Sequence, residues 1–226
     1  GLPDPPGQLM SALDLAKLSR HLIRDYPQYY HYFSEKSFVW HNITQPNRDL
    51  VLGTLPGADG LKTGHTDAAG YGITISAMRE NTRFILVLNG LRYPQYNNDY
   101  FPNIKRAEEA GRVMDMAFRE FRRYAITAAN QVVGQAAVLE GKQATVPVTP
   151  TAAVAATMQV DSHSKLKTVV KTDAGLTAPI AQGQRVGTMT VTAPDFPAMT
   201  VPVYAAQSVE RANIFARLWN RYFGKH

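Results

Sequence analysis

A lysine, a threonine and a glycine stand in succession as Lys62, Thr63 and Gly64, within the string GLKTGHT. On the edge of a sheet, Lys62 and Thr63 would offer a cation and a hydroxyl to an incoming substrate carboxylate. Gly64 has no side chain, so a substrate backbone could approach closely. The backbone N–H of the next residue, His65, would then point at a substrate carbonyl as an oxyanion donor. These residue types in succession are compatible with an acyl-transfer site that takes an extended peptide, but the triplet alone does not establish one.

Other residues that could carry chemistry are less informative. His21, His31 and His41 are ten residues apart on different predicted elements, which argues against a metal site. Asp59 and Asp67 flank the triplet and resemble an acid and base pair, but turn residues at strand ends are the favoured interpretation. The chain has no cysteine, which excludes thiolate ligands and thiol nucleophiles. We predict neither a metal nor a cofactor.

Upstream of the triplet, the pattern predicts a helix and then extended segments. Ser11 to Asp14 fit a capping box, helically spaced leucines follow to about Asp25, and Pro27 ends the helix. The next residues are rich in aromatic side chains, which we expect to pack on the core rather than to stack on nucleic acid. Two extended segments are predicted at Phe38–Thr44 and Leu50–Leu55, before a turn and a strand that starts at Leu61.

Downstream of the triplet, the pattern predicts a hairpin and a long helix. Tyr71–Met78 and Arg83–Asn89 are β-rich runs joined by a short turn at 79–82. Residues 103–123 carry one apolar stripe between charged residues, as expected of an amphipathic helix packed on a sheet.

The composition changes near residue 125. Residues 130–204 are rich in Val, Thr, Ala, Gly and Pro, with short alternating segments such as 167–171 and 189–192, which predict a small all-β sandwich. Residues 208–226 are helical in pattern, with Phe215, Leu218 and Trp219 on one face and basic residues around them. Two interpretations of this helix stay open: it lies on a membrane surface, or it docks on its own domain.

Composition and charge set wider bounds. The chain has 226 residues and a net charge of +6, which suits either an anionic partner or an ordinary solvated surface. No apolar run approaches the roughly 20 residues of a membrane span. The sequence begins with the turn-rich GLPDPPG and has neither an initiator Met nor a signal region there, so we expect it to come from the middle of a longer protein.

Four strings together resemble one family. They are SALDLAKLSRHLI, YYHYFSEKSFVWHNITQPNRDL, LKTGHT and LTAPIAQGQRVGTMTV. The chain resembles, over nearly its whole length, the low-molecular-mass penicillin-binding proteins, which are serine D-alanyl-D-alanine carboxypeptidases. The resemblance implies an α/β sheet of the β-lactamase and DD-peptidase type, in part, over residues 1–125. A β-rich domain at 126–206 and an amphipathic helix at 207–226 would follow.

The family also uses a Ser-x-x-Lys motif and a Ser-x-Asn motif, both ahead of the triplet. Here Ser-x-x-Lys occurs only at Ser164–Lys167, in the β-rich region, and no Ser-x-Asn precedes Lys62. Because the family places its nucleophile first and at the start of a helix, we interpret the Ser164 match as accidental. We therefore expect the chain to be the downstream piece of a carboxypeptidase, with the nucleophile in a missing N-terminal portion.

The resemblance implies removal of the terminal D-Ala from peptidoglycan stem pentapeptides through an acyl-enzyme, and acylation by β-lactams at the same serine. Lys62 would shape the electrostatics, Thr63 and Arg48 would bind the substrate carboxylate, and His65 N–H would stabilise the oxyanion. The expected location is the periplasm, at the outer face of the cytoplasmic membrane. Two alternatives remain: a D,D-endopeptidase, and a non-catalytic fragment that binds the cell wall or membrane. This chain alone is predicted to be inactive.

Overall fold

The computed structural model describes residues 9–213. The chain divides into two compact units, with the division between Glu120 and Phe121. The predicted boundary after residue 125 falls inside a strand of the second unit. The phenylalanines, tryptophan and leucine expected on the terminal helix lie outside the described residues.

The first helix forms as the sequence predicts. Helix α1 spans Ala12–Asp25, and its start is a capping box. The Ser11 hydroxyl accepts from the Asp14 N–H at 3.1 Å, and the Asp14 carboxylate accepts from the Ser11 N–H at 3.1 Å. Pro27 then begins the short helix α2, Pro27–Tyr30, because proline suits a first helical position. A 3-10 turn follows at His31–Ser34.

The aromatic segment does not pack on the core as a whole. Tyr26, Tyr29 and Tyr32 are exposed, so the prediction of core packing is wrong for these three. Tyr30 and Phe33 are half-buried. Their rings are 5.9 Å apart, and both lie against Gly60 of the sheet. The segment thus uses two of its rings to contact the sheet.

Two extended predictions need correction. Residues 38–44 form a hairpin of β1, Ser37–Trp40, and β2, Ile43–Pro46, instead of one strand. The turn residues His41 and Asn42 both have positive φ, as a tight hairpin requires. Leu50–Gly53 is a 3-10 turn rather than extended, because the Asp49 carboxylate accepts from the Val51 N–H at 3.2 Å and caps it.

A three-stranded antiparallel sheet organises the first unit, in the order β3-β4-β5. The strands are β3, Ala58–Thr66, β4, Gly70–Arg79, and β5, Thr82–Leu91. Arg79 pairs with Thr82 across a two-residue turn, which confirms the predicted hairpin. The triplet lies in β3.

The long helix α3 spans Tyr100–Glu120, three residues earlier at both ends than predicted. The Asn98 side chain accepts from the Tyr100 N–H at 3.0 Å and fixes its start. Its end comes early because Phe121 already pairs in a strand. The apolar face of α3 packs on β4 and β5 around a buried core. Members of that core include Val51, Leu55, Ile73, Ile75, Ala77, Ala107, Ala110, Met114 and Phe118.

The second unit is β-rich, as predicted. A two-stranded sheet pairs β6, Phe121–Thr127, with β9, Val154–Gln159. A five-stranded antiparallel sheet has the order β10-β11-β12-β8-β7. Its strands are β7, Gly134–Ala137, β8, Thr145–Thr149, β10, Lys167–Thr172, β11, Arg185–Ala193, and β12, Phe196–Ala205. A single helical turn, α4, occupies Val160–His163. Buried valines from β8, β9, β11 and β12 share one core.

Candidate active-site groove

Strand β3 presents the triplet at a free edge of the sheet. In the described sheet β3 pairs with β4 alone, so its other side carries unpaired backbone groups. Alternation along the strand buries Leu61 and Thr63 and leaves Lys62 and Gly64 exposed. An extended peptide could therefore pair with this edge while reaching the Lys62 and Thr63 side chains.

One open groove of about 670 Å³ brings together every residue that the sequence assigns to substrate binding. Arg48, exposed just before the 3-10 turn, joins Lys62, Thr63, Gly64 and His65 in its lining. The structure adds further residues to the lining: Thr66, Tyr71, Asp99, Asn103 and Arg106. Arg48 and Lys62 make the groove a favourable place for an anion.

The Lys62 and Thr63 side chains are arranged differently. The Lys62 ammonium contacts the Thr63 carbonyl oxygen, so its charge lies alongside the strand. Thr63 is 7% exposed and lines the groove. Within residues 9–213 its hydroxyl has no hydrogen-bond partner in the protein. A hydroxyl in that position is available to a ligand in the groove.

Gly64 opens the strand towards the groove. A Cβ built on Gly64 would meet no protein atom within 4 Å, and the backbone of Gly64 does not lie in the left-handed region. The backbone conformation at this position therefore does not require a glycine. Its lack of a side chain leaves space beside the strand for a ligand in the groove.

His65 is held by its ring rather than left free in the groove. The imidazole stacks on Tyr71 with centroids 3.8 Å apart, and its Nδ1 lies 3.6 Å from Asp99 Oδ1. The Tyr71 hydroxyl donates to the same carboxylate, and this hydrogen bond raises the pKa of Tyr71 to about 12. With its side chain engaged in this way, His65 offers the groove its backbone.

A buried arginine lies beneath the end of the triplet. Arg106, on α3, is only 3% exposed. Its Nη1 donates to the Gly64 carbonyl at 3.0 Å and to the Gly72 carbonyl at 3.2 Å, and its Nη2 donates to Asn103 at 2.7 Å. These contacts join the helix to β3 and β4.

Asp49 is a buried carboxylate whose charge acts to raise the pKa of this guanidinium, against the larger lowering by burial. Asp49 is 3% exposed, and burial raises its pKa to about 6, against the opposing effects of the Val51 N–H and the charge of Arg106. Asp49 Oδ2 and Arg106 Nε are both buried without a hydrogen-bond partner among the described residues. The two groups are thus coupled by charge and not by a direct hydrogen bond.

Sequence reasoning missed Arg106, Tyr71 and Asp99. A signal for Arg106 was present: it immediately precedes Ala107 on the apolar stripe of α3, where a charged side chain must find buried partners. Asp59 was also misassigned, because it lies within β3 and pairs with Arg83 rather than standing in a turn. Asp67 does lie in the turn that follows β3.

The remaining candidates lie elsewhere or outside the described residues. The Ser164 hydroxyl donates to the Asp161 carbonyl at 3.3 Å, next to α4 in the second unit. Phe215, Leu218 and Trp219 are outside residues 9–213. Among the described helices, none is both long and apolar enough to cross a membrane.

Comparison with known families divides the chain as the structure does. Residues 1–92 match the family D-alanyl-D-alanine carboxypeptidase, peptidase S11. Residues 121–211 match the C-terminal domain of penicillin-binding protein 5. Each of the two matches falls within one compact unit.

Curated relatives and solved structures agree with these matches. The chain is 32% identical to D-alanyl-D-alanine carboxypeptidase DacD of Escherichia coli, over 98% of this chain and 55% of the relative. It is 30% identical to the carboxypeptidase DacA of Haemophilus influenzae, over 96% of this chain and 54% of the relative. The crystal structure of penicillin binding protein 5 from Haemophilus influenzae aligns with a TM-score of 0.72 and 28% identity, over 89% of this chain and 57% of that one. The chain spans about half the length of the curated relatives it matches.

Proposed function

Because the chain belongs to the low-molecular-mass penicillin-binding proteins, the serine-type D-alanyl-D-alanine carboxypeptidases, we propose that its groove binds the D-Ala-D-Ala end of a peptidoglycan stem pentapeptide. The observation that carries this proposal is the meeting of Arg48, Lys62, Thr63 and Gly64 in one groove at a free strand edge. A peptide that ends in a carboxylate and runs as an added strand fits that combination.

Each residue has a separate role in the proposed complex. The Thr63 hydroxyl and the Arg48 guanidinium bind the terminal carboxylate, since a planar fork suits two carboxylate oxygens. Lys62 adds positive charge beside the reacting serine and the carboxylate. The backbone N–H of His65 donates to the carbonyl oxygen of the penultimate D-Ala as negative charge develops on it.

The reaction proposed for the complete site is acyl transfer in two steps. A serine oxygen attacks the penultimate D-Ala carbonyl carbon, the peptide bond to the terminal D-Ala breaks, and the leaving amine takes a proton. Water then attacks the resulting ester and releases the shortened peptide. β-Lactams would acylate the same serine. Since no Ser-x-x-Lys precedes the triplet in this sequence, the polypeptide by itself is proposed not to form the acyl-enzyme.

Two measurements test the proposal. Titration with a peptide ending in D-Ala-D-Ala, followed by NMR on the isotope-labelled chain, should shift the amides of residues 62–65. The same peptide with an amidated C-terminus is the control, because it lacks the carboxylate. Equal binding of both peptides, or shifts confined to the second unit, would refute the proposed site. Labelled penicillin should leave no covalent adduct on the chain alone.

The second unit and the terminal segment complete the proposal. We infer that the β-rich unit folds as a sandwich, and that residues 208–226 hold the protein at the outer face of the cytoplasmic membrane, in the periplasm. The basic and aromatic composition of that segment supports the second inference. Liposome flotation of the chain with and without residues 208–226 tests it. Binding that survives the truncation undiminished would rule out the anchor.

A further inference from the structure

Arg106 holds one peptide group of β3 that also belongs to the pairing with β4. Its Nη1 reaches the Gly64 carbonyl at 3.0 Å and the Gly72 carbonyl at 3.2 Å. Gly64 and Gly72 are paired residues on β3 and β4. Because one nitrogen contacts both oxygens, the Gly64 carbonyl must be directed to the β4 side of β3.

The same peptide group contains the His65 N–H. The cis peptide bonds of the described chain are Gly60–Leu61 and Ala178–Pro179, so the bond between Gly64 and His65 is trans. In a planar trans peptide the C=O and N–H point in opposite directions. A carbonyl fixed towards β4 therefore directs the His65 N–H to the free edge of the sheet, which faces the groove.

We propose that Arg106 is a positioning residue for the oxyanion donor: by holding the Gly64 carbonyl, it keeps the His65 N–H aimed into the groove. This inference rests on the proposed function, which assigns the oxyanion role to that N–H. Preorganisation of such donors matters because a donor that must first rotate into place stabilises the developing charge less.

The contacts of Arg106 favour this positioning role over direct binding of the substrate. The side chain is 3% exposed, and both terminal nitrogens already donate to Gly64, Gly72 and Asn103. Exposed Arg48 lines the same groove and is free of such constraints in the described structure. Arg106 thus acts through the strand, whereas Arg48 can meet a ligand.

The contacts also explain why an arginine is needed. A guanidinium presents several donors in a fixed plane, and here that plane spans two carbonyls and the Asn103 side chain. The guanidinium carbon lies 5.7 Å from the centre of the Tyr71 ring. A lysine would keep the charge but has one nitrogen on a flexible stem, so it cannot hold all three acceptors in this geometry.

NMR on the full chain tests the inference through Arg106→Met and Arg106→Lys, with Arg112→Gln as the matched control. Arg112 lies on the same helix and is exposed, with an ion pair to Glu109. In Arg106→Met the Gly64 carbonyl carbon should move upfield and the His65 amide should change its shift and exchange faster with solvent. Arg106→Lys should restore part of both effects, and Arg112→Gln should change neither. Unaltered Gly64 and His65 signals in a folded Arg106→Met chain would overturn the proposal.

A second variant and a peptide affinity measurement complete the test. If Arg106→Met unfolds, Asn103→Ala serves instead: it removes the Nη2 acceptor but keeps the charge, and it should give the same changes to a smaller extent. Affinity for a D-Ala-D-Ala peptide should fall about threefold to tenfold in Arg106→Met. If the wild-type chain does not bind the peptide at all, the proposed function fails, but the carbonyl and amide signals still decide whether Arg106 orients the peptide group.

Discussion

The Arg83 Nη1 contacts both carboxylate oxygens of Asp59, at 2.8 Å to Oδ1 and 2.7 Å to Oδ2. The Tyr30 hydroxyl donates to the same carboxylate at 2.7 Å, and the fully buried Ser76 hydroxyl lies 2.5 Å from Arg83 Nη1. These groups belong to α2 and to all three strands of the sheet. The cluster therefore holds the start of β3 in place, with Asp59 three residues before the triplet begins at Lys62.

Asp59→Asn should destabilise the first unit. The substitution keeps the shape of the side chain but removes the charge that Arg83 faces, which leaves a half-buried guanidinium poorly paired. We expect the free energy of unfolding, measured by urea denaturation, to fall by about 1–3 kcal/mol. Asp115→Asn is the control, because Asp115 pairs with Arg79 on a more exposed surface and should cost less than about 1 kcal/mol. Equal losses in both variants would contradict a structural role for the cluster.

Asp49 should make stability depend on pH between its ordinary pKa of 3.8 and its folded pKa of about 6. Its folded pKa of about 6 exceeds the ordinary 3.8, so the folded state binds the proton more tightly. The folded state therefore loses stability as the pH rises from 3.8 to about 6. Asp49→Asn cannot ionise, and its stability relative to wild type should rise between pH 4 and pH 7.5 by up to about 3 kcal/mol. Urea denaturation at both pH values measures this difference.

Asp14 provides a control of opposite sign. Hydrogen bonds from Ser11 lower the pKa of Asp14 below its ordinary value, so its contribution is present at neutral pH and is lost as the carboxylate is protonated. The cost of Asp14→Asn should therefore shrink as pH falls. A difference between Asp49→Asn and wild type that stays constant from pH 4 to pH 7.5 would contradict the assignment for Asp49.

Local patterns predicted those parts of the fold that local interactions determine. The capping box of α1 and the hairpin of β4 and β5 depend on residues within a few positions of one another, and both are confirmed. Leu50–Gly53 was misjudged because a short apolar run fits a strand or a turn equally well, and the Asp49 cap decides between them. The sequence indicated the residues of the groove through a family resemblance and not through periodicity.

Arg106 illustrates what the sequence could not provide. Its contact with Gly64 joins residues 42 positions apart, across the turn and hairpin that separate β3 from α3. The helical pattern shows that Arg106 lies beside an apolar stripe, but the identity of its acceptors depends on how α3 packs under the sheet. Tyr71 and Asp99 were missed for the same reason, since 28 residues separate them.

Thr63→Val should weaken binding of a peptide ending in D-Ala-D-Ala while leaving the fold intact. Valine replaces the hydroxyl by a methyl group of similar volume, so the affinity should fall about tenfold, as expected for loss of a hydrogen bond to a carboxylate. Thr44→Val, in the exposed strand β2, is the control and should bind like wild type. Calorimetric titration measures both. If Thr63→Val binds with undiminished affinity, the hydroxyl does not receive the carboxylate.

Gly64→Val should separate the stability of the strand from access to the groove. A Cβ at Gly64 meets no protein atom within 4 Å, and the backbone conformation is an ordinary one, so the free energy of unfolding should change by less than about 1 kcal/mol. The isopropyl group would instead occupy the space where the substrate backbone approaches, and peptide binding should fall at least tenfold. Gly111→Ala, on α3, also meets no atom within 4 Å, and it should stabilise the helix by about 0.5–1 kcal/mol without affecting binding. Unfolding curves and peptide titrations on the two variants distinguish these effects. Normal peptide affinity in Gly64→Val would mean that the ligand does not occupy the space that the missing side chain of Gly64 leaves open.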